Sequence, residues 1–454
     1  MSRAVAATIA ALMLLPALGG CGLVADRIDR MVNPVFGDAT AETDPPDTPH
    51  HVRHERMFVA DLHADTLLWE RDVVERSSFG HVDLPRLRDG GVDLQVFTVV
   101  TKTPRERPLP GKPGQHCVPG DGTNMTALLS AIQLRPVETW FDLERRTRYQ
   151  VRRLKEAAAR SSASAASLRS PELVLIRTVG GLGRLTEATA RGEAVIGAVL
   201  GVEGVHWLED PDDETGAAAA AERLFEMGVR QVAPTHRFDN TLAGASEGCA
   251  GGPLTLAGRA FLGRAEALGM IVDLAHASPR ALLEALAGAP GEAEPVLRAP
   301  VVISHTGVKG SCKEEDSCYS HRNLGDDEIR AVAINGGIIG IGYWPAAVGH
   351  GYGAVLAAMA HVHAVLAEPG FVARMRESRP DYDPTSHIAL GSDFDGAVAV
   401  PFDASGVPLL TWRMLRAGFT EAQVRRIAGA NVCRVLSARL PAERNADRNA
   451  ACPP

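Results

Sequence analysis

From residue 57 onward the chain repeats one unit: a short, continuously apolar run followed by a polar, helix-like stretch. The runs are "MFVADL" (57–62), "LQVFTVV" (94–100), "VIGAVLGV" (195–202), "VRQVAP" (229–234), "MIVDLA" (270–275), "PVVIS" (300–304), "GIIGIG" (337–342) and "HIALGS" (387–392). Strands that are apolar throughout, not at alternate positions, belong to a parallel sheet covered on both faces. Eight such strand–helix units predict an α/β fold, a TIM (β/α)8 barrel, over residues 56–440. "PELVLIRT" (171–178) is a spare strand candidate that leaves the count uncertain by one. With 454 residues, 45% of them hydrophobic, the chain can bury the large core that such a barrel needs.

Six of the eight runs end on groups that can ligate or ionise: His63 and Asp65, then Glu203, His236, His276, His305 and Asp393. Taken singly, each has a plain structural reading; Asp65 and Thr66, for example, suit the cap of a following helix. In a barrel, however, all C-terminal strand ends open on one mouth, so these groups would converge although spread over some 330 residues. Imidazoles mixed with carboxylates suit zinc or a similar divalent ion, and this set exceeds what one tetrahedral site uses. Two ions bridged by a shared carboxylate would use it, and such paired ions sit about 3.5–4 Å apart and share a hydroxide nucleophile.

The motifs "DLHADT", "GVEGVH", "PTHRFDN", "IVDLAHAS", "VVISHTG", "RNLGDDEI" and "GSDFDG" follow one another from residue 61 to 396. In this order they resemble the membrane (renal-type) dipeptidase family, a branch of the metal-dependent amidohydrolase barrels, over roughly residues 57–440. The resemblance implies a dipeptidase with two zinc ions: His63 and Asp65 on one, His276 and His305 on the other, and Glu203 bridging them. It further implies that His236 polarises the scissile carbonyl, that Arg322 grips the substrate's C-terminal carboxylate, and that Asp393 handles the proton. A homodimer is also implied. Two alternatives stay open on the residues themselves: Arg322 could pair with Asp326 or Asp327, and Asp395 could replace Asp393 as the acid. The same site could serve an amidohydrolase acting on an N-acyl amino acid or a peptide-derived secreted metabolite, and the barrel could be a non-catalytic metal-binding envelope protein. The intact acid and ligand set speak against the last.

Outside the repeated units the sequence carries further expectations. Arg3 precedes a mostly apolar stretch (4–18), and "LGGC" (18–21) looks like a bacterial lipobox. Residues 1–20 then read as a lipoprotein signal, with Cys21 acylated and the protein anchored facing the periplasm, in the outer membrane by the Gly22 that follows. Residues 21–55 read as a flexible tether, its histidines 50, 51 and 54 solvated, and 441–454 as a C-terminal tail. Of the six other cysteines, Cys312 and Cys318 are the expected disulfide, since export favours pairing and both lie in one polar loop. Residues 103–122 are Pro- and Gly-rich, too long for a routine connection, and read as an insertion or lid. "ERRTRYQVRRLKEAAAR" (144–160) reads as a solvated outer helix, and 161–170 as a surface loop. A net charge of -8 gives no sign of nucleic-acid binding.

Overall fold

A computed structural model describes residues 21–37, 54–55, 57–109, 116–165, 171–291, 294–313, 316, 318, 320–443 and 452. Its centre is a ring of parallel strands: β1 (Ala60–Ala64), β2 (Leu94–Val100), β3 (Val195–Glu203), β4 (Gln231–Ala233), β5 (Ile271–Val272), β6 (Val302–Thr306), β7 (Ile338–Ile341) and β8 (Ile388–Leu390). From β1 the sheet runs one way through β2, β3 and β4 to β5, and the other way through β8 and β7 to β6. The parallel bridge between Asp273 and Val302 closes β5 onto β6, backed by the Leu274 amide donating to the Val302 carbonyl at 2.9 Å. The eight expected runs are thus the eight strands of a (β/α)8 barrel.

The spare candidate is also a strand. Glu172–Leu175 pairs in parallel with β3 from Val195 to Ala198, whereas β4 pairs with β3 from Gly201 to Glu203. β2 occupies the other edge of β3. The extra strand therefore fills the N-terminal part of an edge that the short β4 leaves open, and the barrel count stays at eight.

The barrel interior is polar and cross-linked. Gln231 Nε2 donates to Asp273 at 3.1 Å and reaches the Leu62 carbonyl on non-adjacent β1 at 3.4 Å. Asp61 accepts from Gln95 Nε2 at 2.8 Å and from the Ser392 hydroxyl at 2.9 Å. Buried polar groups are tolerable only when paired in this way. Outside the strands, the helices bury apolar faces against them. The helix Leu143–Ala165 buries Val151, Leu154 and Ala158, which recur at helical spacing. It runs to Ala165, so the loop expected at 161–170 is helical in its first half; residues 166–170 lie outside the described residues. Nor is this helix wholly solvated, because Arg146 is fully buried and donates to the Thr139, Trp140 and Thr101 carbonyls.

The tether expected from Cys21 does not hold for its first part. Cys21–Val32 is a helix, with Ala25, Ile28, Asp29 and Val32 buried. Its apolar side chains share a cluster with Leu68, Trp69 and Val100 at the C-terminal end of β1 and β2. Arg71 locks it there, pairing with Asp29 at 2.7 Å and Asp395 at 2.6 Å. His54, expected to be solvated, is buried between Thr411 Oγ1 (2.9 Å) and the Gly90 carbonyl (2.8 Å). Residues 38–53, including the histidines at 50 and 51, lie outside the described residues.

All six cysteines beyond Cys21 are paired. Cys312–Cys318 is as expected; Cys117–Cys249 joins the connection after β2 to that after β4, and Cys433–Cys452 staples the C-terminal tail back onto the last helix. The 103–122 excursion carries a two-stranded pairing of Arg107–Pro108 with His116–Cys117 and is held by Cys117–Cys249. No single helix among the described residues is long and apolar enough to cross a membrane.

Candidate metal centre

Each site side chain is set by a strand end. His63 lies in β1 and points inward with Asp61; its Nδ1 meets the Ser304 hydroxyl at 3.2 Å, which fixes the ring. Asp65 follows, its carboxylate receiving the Thr98 hydroxyl of β2. Glu203 is the last residue of β3 and is 2% exposed. His305 stands in β6 with its Nδ1 2.9 Å from the same Ser304 hydroxyl. His276 and Asp393 follow β5 and β8 with φ of 64° and 59°. Left-handed backbone is costly for side chains with a Cβ, and it collects where surrounding structure holds a residue for a purpose.

The functional atoms converge. Glu203 Oε1 is approached by Nε2 of His276 (3.0 Å), His305 (3.4 Å) and His63 (3.8 Å), and Glu203 Oε2 by His236 Nε2 (3.2 Å). His63 Nε2 also lies 3.4 Å from Asp65 and 3.9 Å from Asp393, and the Nε2 atoms of His276 and His305 are 2.9 Å apart. Three overlapping groups could each hold an ion: His63, Asp65 and Glu203; Glu203, His276 and His305; and His63, His305 and Asp393. Glu203 Oε1, though buried, accepts no hydrogen bond. A buried carboxylate oxygen crowded by imidazole nitrogens and left without a hydrogen bond is what a divalent cation satisfies, so the donor set fits such ions.

The electrostatics of the cluster show the same crowding. Burial lifts Glu203 well above the ordinary carboxylate range, and lifts Asp393 to about 8 against the pull of His63. Burial pushes His276 and His305 well below the ordinary imidazole value, aided by Arg322 and His63 respectively. His63 runs the other way: burial disfavours its charge, yet Asp65 and Glu203 carry it to about 10. Burial and then Arg237 lower His236 to about 4, so this ring is neutral near pH 7.

Asp395 is fully buried and engaged by Arg71, the Thr66 hydroxyl and the His81 amide, whereas Asp393 lies 3.9 Å from His63 in the cluster. Asp326 pairs with His361 and Asp327 with Arg330, so neither takes Arg322. The Arg322 guanidinium donates to the His305 carbonyl at 2.5 Å and has no ion-pair partner among the described residues. Its Nε is buried without a hydrogen-bond partner.

Sequence reasoning did not single out the groups that hold the ligands. Thr98 and Ser304 orient Asp65, His63 and His305, and Asp273 accepts the Ala275 and Ser304 amides at 3.0 Å each. Glu247, 3.3 Å from His276 Nδ1, is itself gripped by Arg237 at 2.8 Å. Ser304 and Asp273 sit inside quoted motifs, beside ligand histidines; nothing local marks Glu247. One cavity of about 720 Å³ opens over the cluster, lined by all the predicted site residues except His63.

A closed parallel α/β barrel with imidazoles and carboxylates gathered at its C-terminal mouth defines a barrel of the metal-dependent hydrolase type. Residues 50–449 match the sequence profile of the membrane dipeptidase family, Peptidase family M19, and the chain belongs to that family. It is similar to an uncharacterized dipeptidase of Schizosaccharomyces pombe, 28% identical over 259 residues, covering 55% of this chain and 54% of that protein. The chain thus spans about half the length of that relative. It is also similar to the dipeptidase aclJ of Aspergillus oryzae, 28% identical over 402 residues, covering 84% of this chain and 78% of that protein. Among solved structures, the metallo peptidase called dipeptidase AC shares the fold, with a TM-score of 0.59 and 20% identity over 85% of this chain and 100% of that one.

Proposed function

We propose that the protein is a zinc-dependent dipeptidase that hydrolyses the peptide bond of dipeptides with a free C-terminal carboxylate. The observation that carries this reading is the convergence of three imidazole Nε2 atoms on the unsatisfied Glu203 Oε1. His63 and Asp65 are assigned to one ion, His276 and His305 to the other, and Glu203 to both. Zinc ions held by these residues would supply Lewis acidity and would make water acidic enough to act as the nucleophile near neutral pH. Asp393 accepts the proton of the attacking water and returns it to the leaving amine. His236, which reaches the cluster through Nε2 beside Glu203, is assigned to bind and polarise the scissile carbonyl. Arg322 offers its planar fork to the substrate carboxylate, which selects for a free C-terminus.

A free dipeptide compared with its C-terminal amide tests the assignment. The acid is expected to be cleaved and the amide to be nearly inert, and Arg322→Met is expected to lower activity on the acid far more than on the amide. If wild type cleaves both equally, Arg322 is no carboxylate clamp, and the amidohydrolase of N-acyl amino acids or peptide-derived metabolites becomes the better reading.

Anchoring through an acylated Cys21, facing the periplasm, is part of the same proposal, and three disulfides support an oxidising compartment. Cys21→Ser is expected to abolish uptake of labelled fatty acid and membrane fractionation; a wild type that takes up none refutes it.

A further inference from the structure

The cavity has two unlike sides, and the barrel order says how they face each other. Arg322, Lys309 and His321 line it from the connection after β6. In a ring of eight strands β2 stands opposite β6. On that opposite side the lining is largely apolar. Val100 ends β2, Leu68 follows β1, Leu128 and Leu129 come from the helix Met125–Ile132 in the β2 connection, and Ile28 and Val32 come from the helix Cys21–Val32. These side chains form one cluster with each other, not with the barrel core. Glu106 and His116 of the β2 connection also line the cavity, so the apolar wall is bounded by polar groups.

Resting on the dipeptidase reading, we infer that the substrate carries a large apolar group on the residue that supplies the scissile carbonyl, bound by the wall of Ile28, Val32, Leu68, Leu128 and Leu129. A dipeptide whose carboxylate sits at Arg322, with its peptide bond over the Glu203 cluster, extends its N-terminal side chain toward β1 and β2. About 720 Å³ is far more than two small residues occupy and lies in the range of pockets that hold drug-sized molecules, about 300–1,000 Å³. The Asp29–Arg71–Asp395 ion network holds the N-terminal helix against this space, making the helix a wall of the site.

The test uses the mature full chain, zinc-loaded, with X-alanine dipeptides whose linear N-terminal side chain has one, four or eight carbons. Each methylene buried favours binding by roughly three- to fourfold, so even with partial burial kcat/KM is expected to rise about tenfold or more from the one- to the four-carbon substrate. It should rise again at eight. Ile28→Ala with Leu129→Ala, folding checked by circular dichroism, is expected to collapse the eight-to-one selectivity ratio. Leu128→Trp, which fills the space, should move the preferred length down to four carbons. A readout independent of turnover comes from the neutral apolar dye N-phenyl-1-naphthylamine bound to metal-free protein. The eight-carbon dipeptide should displace it and alanyl-alanine should not. A flat or falling kcat/KM series in an enzyme that cleaves alanyl-alanine overturns the inference and leaves the dipeptidase reading standing. Dye displacement by the eight-carbon compound without cleavage of any dipeptide keeps the apolar site and overturns the dipeptidase reading. Absence of dye binding, together with a flat series, removes the apolar site.

Discussion

Asp393 and Asp395 stand two residues apart in "GSDFDG", both with left-handed backbone (φ 59° and 62°), and their surroundings give them opposite tasks. Burial alone would raise Asp395, but Arg71 and His81 hold it below the ordinary carboxylate value, as an anion locked in a structural network. Asp393→Asn is expected to keep the fold, since Asn tolerates this backbone, and to lower kcat by about 10²–10⁴ with little change in KM. Asp395→Ala should instead leave the buried Arg71 with Asp29 as its one carboxylate partner among the described residues, deprive Thr66 and the His81 amide of their acceptor, and cost roughly 3–5 kcal/mol of stability, read by urea unfolding. An Asp395→Ala protein as stable as wild type contradicts the division. A third residue sets a pH dependence away from the cluster. His387 is buried, with its Nδ1 2.7 Å from the Gly337 carbonyl, and burial lowers its pKa from 6.5 to about 4. The unfolded chain therefore binds this proton first as pH falls. The contribution of His387 is whole above about pH 6.5 and is lost between there and about pH 4, on the order of 3 kcal/mol in full. The unfolding free energy should fall more between pH 7 and pH 4.5 in wild type than in His387→Gln; an equal fall contradicts the assignment.

At the scale of elements, the mouth is assembled from pieces distant in sequence. Cys117–Cys249 spans 132 residues and fastens the excursion after β2 to the loop that carries Glu247. Closing so long a loop restricts the unfolded chain, and removing a native disulfide of this kind typically costs about 2–5 kcal/mol. Cys117→Ser with Cys249→Ser is expected to lose stability in that range. It should also raise KM, because both cysteines line the cavity beside the site. Denaturant midpoints and steady-state kinetics on the oxidised wild type and the double variant decide it, and an unchanged midpoint would count against a stabilising bond.

Across the whole molecule, side chains in or just after β1, β4, β5 and β6 meet at Glu203 on β3, so the proposed ion binding would link to barrel integrity. About two ions per chain are expected by elemental analysis. Glu203→Ala should lose affinity for both, while His276→Ala should disturb mainly one. Since ions that bind only the folded state stabilise it by mass action, chelation should lower the Tm of wild type and leave that of Glu203→Ala nearly unmoved. A single tight ion in fully active protein would sink the paired assignment.

The sequence by itself determined the barrel and the chemistry it presents. Apolar runs mark strands locally, and His63, Glu203, His276, His305 and Asp393 follow or end their runs, so strand and ligand are legible together. Parallel closure then brings the strand ends to one mouth whatever the helices between them contain. Tertiary structure alone decided what surrounds that centre. The helical spacing of Ala25, Ile28 and Val32 is present in the sequence, yet only the packed barrel shows that this face meets Leu68 and Val100, where an unstructured tether was expected. Cys312 and Cys318 could be paired by proximity, but Cys117 and Cys249 could not, and Glu247 reaches His276 only because the loop after β4 folds over the mouth of β5. Charged partners brought up by the fold, not residue type, separate Asp393 from Asp395, since both are buried and, of the two, Arg71 holds only Asp395. A local pattern specifies an element because backbone geometry and side-chain periodicity act over a few residues. Partners joined across the barrel mouth are fixed by packing, and packing is a property of the closed ring.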